Sequence, residues 1–357
     1  MPAIFSSGDL ERFKEFMNVE GKKVLAYHKD LDGVTASAIL LKYFPNFETL
    51  SRKGPKTDDA FIKTMVKKDP LLIVFLDLPM DQEKDAIKKL EARLPSCRFI
   101  IIDHHIIEND MNSKNILHIN PRFKLKEAYI PASYIMYRLF FSLNKSGLSL
   151  GNRTFDDIKK YIWIALLGVI GDHAYDNCKD LMLESEEYSE SNLREIANML
   201  SSATTKFKDY KGITTVLSKL LDAKDLKDIE SDKTLKEWSN DVDKEFKKVI
   251  EMFETKKEDQ GKVIIYELKT EYGLSAMVSG YLSERYPDRV ILIYKGANGM
   301  WKISLRYQKG DINLGETVKS CLSEGDSGGG HEKAAGGLIK DIEDFKKRFL
   351  EQINQQQ

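Results

Sequence analysis

The stretch VLAYHKDLDGVTASAIL, Val24 to Leu40, changes period in its middle. It opens as an apolar run without polar alternation, the mark of a strand covered on both faces. Then come His28, Asp30 and Asp32, a glycine at position 33, and small and aliphatic residues at helical spacing. Sheets of alternating strands and helices bind their ligands beyond the carboxyl ends of the strands. An imidazole and two carboxylates at such an end therefore raise a functional question as well as a structural one.

The neighbouring segments repeat the unit. LLIVFLD (Leu71–Asp77) and RFIIID (Arg98–Asp103) read as further buried strands, and GVTASAILLKYF, DDAFIKTMVKK and MDQEKDAIKKLEARL read as the helices between them. This alternation predicts an α/β fold with a doubly wound, mainly parallel sheet. No proline occurs from Ala132 to Tyr286, a region of long helical patterns such as DIKKYIWIALLGVIGD and SNLREIANMLSSA. Residues 222–262 are highly charged with widely spaced apolar positions and read as a solvated helical connector. Strand patterns return in KVIIYEL, RVILIYK and MWKISLRYQ, with a helix from Leu274 to Glu284 between the first two. Ile339, Ile342, Phe345, Phe349 and Ile353 form one face of a closing helix. The expected organisation is a catalytic, metal-binding domain over 1–190, a helical connector over 191–260, and a smaller α/β substrate-binding domain over 261–357.

Composition narrows the class. The chain has 357 residues, and its 56 acidic and 55 basic side chains nearly cancel, so no global field draws it to polyanions. Any nucleic-acid contact must come from a local basic surface. Cys97, Cys178 and Cys321 are few, widely spaced and odd in number, which argues against structural zinc and for a reducing compartment. The N-terminal residues lack the architecture of a secretory signal, and no apolar run reaches the ~18 residues of a membrane span. A cytoplasmic protein without a membrane segment is the expectation.

Four segments deliver charge to one rim of the expected sheet: His28-Lys29-Asp30-Leu31-Asp32-Gly33, then Asp77, then Asp103-His104-His105, and finally Asp172-His173 after WIALLGVIG. Carboxylates converging without partners repel and raise one another's pKa. Divalent cations remove that conflict, and a mixed carboxylate–imidazole set suits Mn²⁺, with Mg²⁺, Co²⁺ and Zn²⁺ as competitors. The donors exceed what one ion needs, whereas two ions about 3.5–4 Å apart would use them all and would suit phosphoryl chemistry. Gly33 is expected to let the chain turn tightly into the helix. Taken singly, the features are ordinary. Asp-x-Asp-Gly also opens calcium loops, though the rest of that pattern is missing here, and it also resembles an aspartyl-phosphate nucleophile loop. Asp77 or Asp172 alone could be a helix cap. His118 and His173 are read as structural or peripheral.

Taken in order, HKDLDG, FLD, IIDHH and GVIGD resemble the four motifs of the DHH phosphoesterase superfamily. SLRYQ followed by GGGHEKAAGG is similar to its associated C-terminal substrate domain. The resemblance spans residues 28 to 337. It implies metal ligands at His28, Asp30, Asp32, Asp77, His104 and Asp172, with Asp77 bridging. Asp103 is implied to orient a histidine ligand, and His105 to face the scissile phosphate. Arg306, Gly328, Gly329, Gly330 and His331 are implied to grip a second phosphate, the glycine run presenting N–H groups ahead of a helix.

Within the superfamily, family-II pyrophosphatases carry a different C-terminal domain. The branch of nanoRNases, pAp phosphatases and cyclic-dinucleotide phosphodiesterases usually places the first histidine four residues before the first aspartate. Here His28 stands two before Asp30, the form seen in RecJ-like nucleases, and INPR at Ile119–Arg122 also fits them. Only about one helix follows Gly337, so the OB-fold of bacterial RecJ is expected to be missing, as in compact archaeal RecJ-like proteins, some of which associate with GINS. The implied activity is Mn²⁺-dependent hydrolysis of single-stranded DNA or RNA to nucleoside monophosphates. The alternative is a phosphodiesterase or phosphatase of short nucleotides. Lys29, Arg52, Lys53, Arg122 and Arg306 are candidates to track a nucleic-acid backbone. A homo-oligomer formed through the charged connector is a further expectation.

Overall fold

Because a strand turns alternate side chains to opposite faces, an uninterrupted apolar run demands cover on both sides. In the computed structural model, which describes residues 4–147, 154–155, 157–185, 187–207, 209–309 and 311–355, this demand is met. The chain forms two units, Met1–Ser239 and Asn240–Gln357. In the first, β1 (Lys23–His28), β2 (Glu48–Arg52), β3 (Leu72–Leu76), β4 (Arg98–Ile102) and β5 (Ile116–Ile119) lie in the order β2-β1-β3-β4-β5. Every pair is parallel. Leu25, Tyr27, Val74, Leu76, Ile100 and Ile102 enter one core, shared with the helices Ser7–Met17, Leu31–Tyr43, Ala132–Lys145 and Ile162–Gly171. Val24, Ala26, Ile73, Phe75, Phe99 and Ile101 enter the other, under the helices Asp59–Lys68 and Lys84–Arg93. The sheet is doubly wound.

Two strands of this sheet escape sequence inspection for physical reasons. β2, Glu-Thr-Leu-Ser-Arg, is an edge strand paired only to β1 and largely open to solvent, so it needs no apolar run. β5 has four residues, one of them His118.

The stretch expected as a solvated connector is less solvated than its charge suggests. Helices Glu190–Lys206 and Lys211–Asp222 bury Leu193, Ile196, Leu200, Val216 and Leu220 in the first unit. The Lys233–Lys256 helix buries Leu235 in that core and Val242, Val249 and Phe253 in the core of the second unit. Apolar residues seven and four apart were enough to make a buried stripe.

The second unit holds β6 (Glu258–Gln260), β7 (Val263–Glu267), β8 (Val290–Ala297), β9 (Met300–Arg306), β10 (Ser327–His331) and β11 (Ala334–Ile339), ordered β10-β11-β9-β8-β7-β6. Only β7 and β8 run parallel. The closing helix, Ile342–Gln355, buries Ile342, Phe345, Phe349 and Ile353 as its period predicts, while Ile339 belongs to β11. Among the described residues, no helix is long and apolar enough to cross a membrane.

Candidate metal centre

The strand order reverses between β1 and β3, which opens a crevice at their carboxyl ends. His28 ends β1, and Asp30 caps the following helix, its Oδ1 accepting from Gly33 N at 3.0 Å. The other oxygen, Oδ2, stands 2.7 Å from His28 Nδ1. Burial opposes ionisation of Asp30, yet the His28 ring holds it below the usual carboxylate range. Gly33 does not make the expected tight turn, since it is already helical. Its role is close approach: a Cβ there would stand 2.4 Å from the His28 carbonyl oxygen. Only glycine lets the helix start against the strand end.

Asp32 is buried. Its two oxygens accept from the amides of Ala132 and Ser133, at 2.7 and 2.9 Å, at the start of another helix. A carboxylate has about four lone-pair sites, so those bonds leave acceptor capacity. Its Asp32, His104 and Asp172 donors lie within 4.8 Å of one another. His104 Nε2 is 3.7 Å from Asp172 Oδ2.

Asp77 is the centre of the arrangement. It follows β3 with φ at 56°, a left-handed conformation that aspartate tolerates better than most residues. Its Oδ2 lies 3.3 Å from His28 Nδ1 and its Oδ1 3.3 Å from His104 Nε2. Neither oxygen has an aligned hydrogen-bond donor, although the side chain is almost wholly buried. Burial and the neighbouring Asp30 push its carboxyl up to about 7. Burial and Asp32 push Asp172 up to about 6. Burial opposes charging His28 and His104, but the surrounding carboxylates carry both rings up to about 10. Four acids, Asp30, Asp32, Asp77 and Asp172, face two imidazoles, His28 and His104. Orphaned buried oxygens facing imidazole nitrogens fit divalent cations.

Asp103 grips His105 rather than His104: its Oδ1 is 2.8 Å from His105 Nδ1, and its Oδ2 accepts from His105 N at 3.1 Å. His105 is 43% exposed. With Nδ1 committed to Asp103, Nε2 is the ring nitrogen without a hydrogen bond among the described contacts. The INPR segment holds this loop from the side. Asn120 Nδ2 donates to the His105 carbonyl at 3.0 Å, and Arg122 Nε to the His104 carbonyl at 2.9 Å. Arg122 Nη1 also bonds Lys126 O, so this residue braces the site instead of standing free to track a backbone. Sequence reasoning missed Tyr129, whose ring sits edge-on to His104 at 5.3 Å and whose hydroxyl donates to Asp172 O at 3.2 Å. It also missed Lys56 and Tyr210, which with Arg52, Lys53 and Phe61 line a cavity of about 480 Å³ beyond β2. Arg52 stacks over the Phe61 ring at 4.0 Å. Lys29 N extends the β1–β2 ladder by bonding Arg52 O at 2.9 Å. His118 is buried against Phe123, and His173 is an exposed residue beside Asp172.

In the second unit the glycine run is not a loop ahead of a helix, as expected. Gly328 to His331 belong to the edge strand β10, paired antiparallel with β11. A side-chain pattern cannot announce a strand made of glycines. Arg306, Ala334 and His331 are register partners across β9, β11 and β10, as are Ser304, Gly336 and Gly329. Register partners share a face, so the small residues floor a trough between basic walls. A cavity of about 330 Å³ there is lined by Lys302, Ser304, Arg306, Gly329 and Gly330. Gly330 has φ 149°, and a Cβ on it would stand 2.3 Å from Ala334 O. Arg306 donates to Leu305 O and pairs with no acid among the described residues; burial lowers its pKa.

Residues 23–168 match the DHH family, N-terminal domain, and residues 259–357 match the DHHA1 domain. With both domains in this order, the chain belongs to the DHH superfamily of phosphoesterases, which are hydrolases. Similar solved structures include RecJ from Thermus thermophilus in complex with Mn²⁺, at 17% identity and TM-score 0.70, covering 99% of this chain and 56% of that one. Cdc45 from Entamoeba histolytica matches at 10% identity and TM-score 0.61, covering 96% and 98%. A pGpG-specific phosphodiesterase from Vibrio cholerae matches at 16% and 0.52, covering 94% and 100%. At these identities the likeness is one of fold. No curated protein is significantly similar to the chain.

Proposed function

We propose that this protein is a divalent-metal-dependent phosphodiesterase that releases nucleoside monophosphates from an end of single-stranded DNA or RNA. The observation that carries the reading is Asp77, a buried carboxylate with no aligned donor on either oxygen, placed between two imidazoles. His28, Asp30, Asp32, Asp77, His104 and Asp172 would hold two ions, and their mixed oxygen and nitrogen donors favour Mn²⁺, with Mg²⁺ or Co²⁺ as substitutes. When bound, such ions lower the pKa of a coordinated water and polarise phosphoryl oxygens.

The chain's own side chains do the rest. Asp103 fixes the His105 ring so that Nε2 can donate to the phosphoryl oxygen on which charge develops. Arg306 and His331, on one face of the glycine-floored trough, would hold a second phosphate. Two observations favour a strand-shortening enzyme over one confined to short nucleotides. His28 stands two residues before Asp30. The fold is also nearer to RecJ, TM-score 0.70, than to the pGpG phosphodiesterase at 0.52.

The test is digestion with Mn²⁺ of single-stranded DNA and RNA about thirty nucleotides long, labelled at either end, beside a dinucleotide. Stepwise shortening of the long strands supports the exonuclease and reads its polarity. Cleavage of the dinucleotide alone assigns the enzyme to the short-nucleotide branch.

A further inference from the structure

The segment Asp77-Leu-Pro-Met-Asp-Gln-Glu83 does more than supply Asp77. Leu78 and Met80 are fully buried in the core beneath the sheet. Two backbone bonds, Met80 N to Leu78 O at 2.7 Å and Gln82 N to Pro79 O at 3.1 Å, close the turn Met80–Glu83 on them. Two acids then leave this anchored turn for different loops. Asp81, itself buried, accepts through Oδ2 from Glu108 N at 2.6 Å and Asn109 N at 3.1 Å. Its carbonyl accepts from Asn109 Nδ2 at 3.0 Å, and Lys84 Nζ donates to Asn109 Oδ1 at 3.1 Å. That loop begins with His104 and His105. Glu83 Oε2 accepts from Thr57 N at 3.1 Å. Thr57 closes the loop that follows β2 and presents Lys53 and Lys56 next to Arg52 at the strand end, its hydroxyl donating to Pro55 O at 2.8 Å.

We propose that the Met80–Glu83 turn is a two-armed brace, in which Asp81 positions the histidine loop for chemistry and Glu83 positions the basic loop for holding substrate. Neither acid touches the reacting atoms, so both are positioning residues. A single anchored turn sets the loops on both sides of Asp77, so the carboxylate and its two flanks keep one geometry. The charge on each acid is used to bind backbone N–H groups, which makes these bonds stronger than neutral ones. The near end of each loop has other holders, the Arg52 guanidinium on Gly54 O and Lys56 O, and Asn120 and Arg122 on the His105 and His104 carbonyls, so the turn fixes the far ends at Thr57 and Glu108.

The kinetic half of this inference rests on the proposed phosphodiesterase activity; the structural half does not. The experiment therefore has two readouts on the full-length chain: hydrogen–deuterium exchange without metal or substrate, and Mn²⁺-dependent hydrolysis of a single-stranded thirty-mer. Asp81→Ala is expected to speed exchange over residues 104–112 and leave 53–58 as in the wild type. Its kcat should fall by about 10–100-fold at unchanged KM. Glu83→Ala is expected to do the converse, speeding exchange over 53–58 and raising KM severalfold at unchanged kcat, the pattern of lost uniform binding. Asp81→Asn and Glu83→Gln keep an acceptor oxygen without the charge and should restore both readouts in part. If Asp81→Ala fails to fold, Asn109→Ala removes the loop's side-chain bond to the Asp81 carbonyl and must loosen 104–112 alone. The brace is overturned if either alanine variant loosens both loops or neither, or if a loop loosens with kcat and KM unmoved. Should the wild type hydrolyse no strand, the proposed activity fails, and the exchange data alone decide whether the turn braces each loop separately.

Discussion

Asp77→Asn separates the metal assignment from every structural role the residue could have. Asparagine has the same shape and, of all residues besides glycine, is among the most tolerant of the left-handed backbone that Asp77 adopts at φ 56°. Neither carboxylate oxygen accepts an aligned hydrogen bond, so the exchange breaks none. What it removes is one negative charge that burial, Asp30 and Asp32 oppose more than the His28 and His104 rings favour, since the carboxyl is pushed up to about 7. The metal-free variant should therefore melt no lower than the wild type, and higher at pH 8, where burial has made ionisation of Asp77 unfavourable. Metal response should behave in the opposite way. At free Mn²⁺ a hundredfold above Kd, binding to the folded state alone adds about 2.7 kcal/mol. For a unit of this size each kcal/mol moves the midpoint by roughly 2–4 °C, so the wild type should gain about 5–11 °C. Asp77→Asn should gain little, and its Mn²⁺-dependent hydrolysis should fall by at least about 100-fold. Differential scanning fluorimetry across a Mn²⁺ titration, with and without EDTA, reads both quantities. An undiminished Mn²⁺ shift in the variant would refute the central position of Asp77. A metal-free midpoint several degrees lower would show that the carboxylate serves the fold.

Three other substitutions test the surroundings. Gly33→Ala places a Cβ 2.4 Å from the His28 carbonyl oxygen, a backbone atom that cannot step aside. Overpacking should cost about 2 kcal/mol in urea unfolding, and displacement of His28 should cut activity by about 100-fold. Arg138, almost fully buried, binds Glu184 through both carboxylate oxygens and Asp180 at 2.8 Å. Arg138→Met leaves two acids facing each other and should destabilise by about 3 kcal/mol, the lower end for a buried pair because both acids are partly exposed. His118 is buried with neither ring nitrogen bonded, and burial lowers its pKa despite Asp81, Asp103 and Asp110 nearby. A histidine with a depressed folded pKa binds its proton more readily in the unfolded chain, so it costs stability as pH falls below about 6.5, by at most ~1.4 kcal/mol per pH unit. Between pH 7.5 and 5.5, His118→Leu should lose less stability than the wild type; equal losses would place the acid sensitivity elsewhere.

How much of this was legible in the sequence depends on what each residue is asked to do. β1, β3 and β4 bury both faces and so spell themselves as apolar runs, and the charged residues that end those runs could be read as a rim. β2 faces solvent along one edge and carries no such run, which concealed that Arg52 ends a strand next to His28. Capping was weighed as the ordinary reading of Asp77 and Asp172, and not of Asp30. Asp30, named only as a ligand, caps a helix, while Asp77, an ordinary cap by position, caps nothing. Pattern reports that a carboxylate ends a strand, but only the backbone angle decides whether it turns towards amides or away from them. The contacts that hold the loops, Asp81 to Glu108 and Arg122 to the His104 carbonyl, run from side chain to backbone. Such pairs leave no trace in residue type, because every residue but proline offers the same N–H and every residue the same C=O.

The strand order explains why Asp77, of all the acids, takes the middle position. β1, β3 and β4 are consecutive neighbours in the sheet, and β3 lies between the other two. Adjacent strands are about 4.8 Å apart. A residue at the end of the middle strand can therefore reach both His28 and His104, which stand at the ends of the strands to either side. The donor groupings follow this geometry: Asp77 closes with His28 and Asp30 on one side, and with His104 and His105 on the other. His104 in turn closes with Asp32 and Asp172. A carboxylate placed between the two imidazoles must therefore come from the strand in the middle. Moving it elsewhere tests the point: an aspartate restored at Leu78 in an Asp77→Asn background sits one residue further on and belongs to the core side, where Leu78 is fully buried. It should recover neither Mn²⁺ stabilisation nor hydrolysis, and recovery of either would show that position on the middle strand end does not matter.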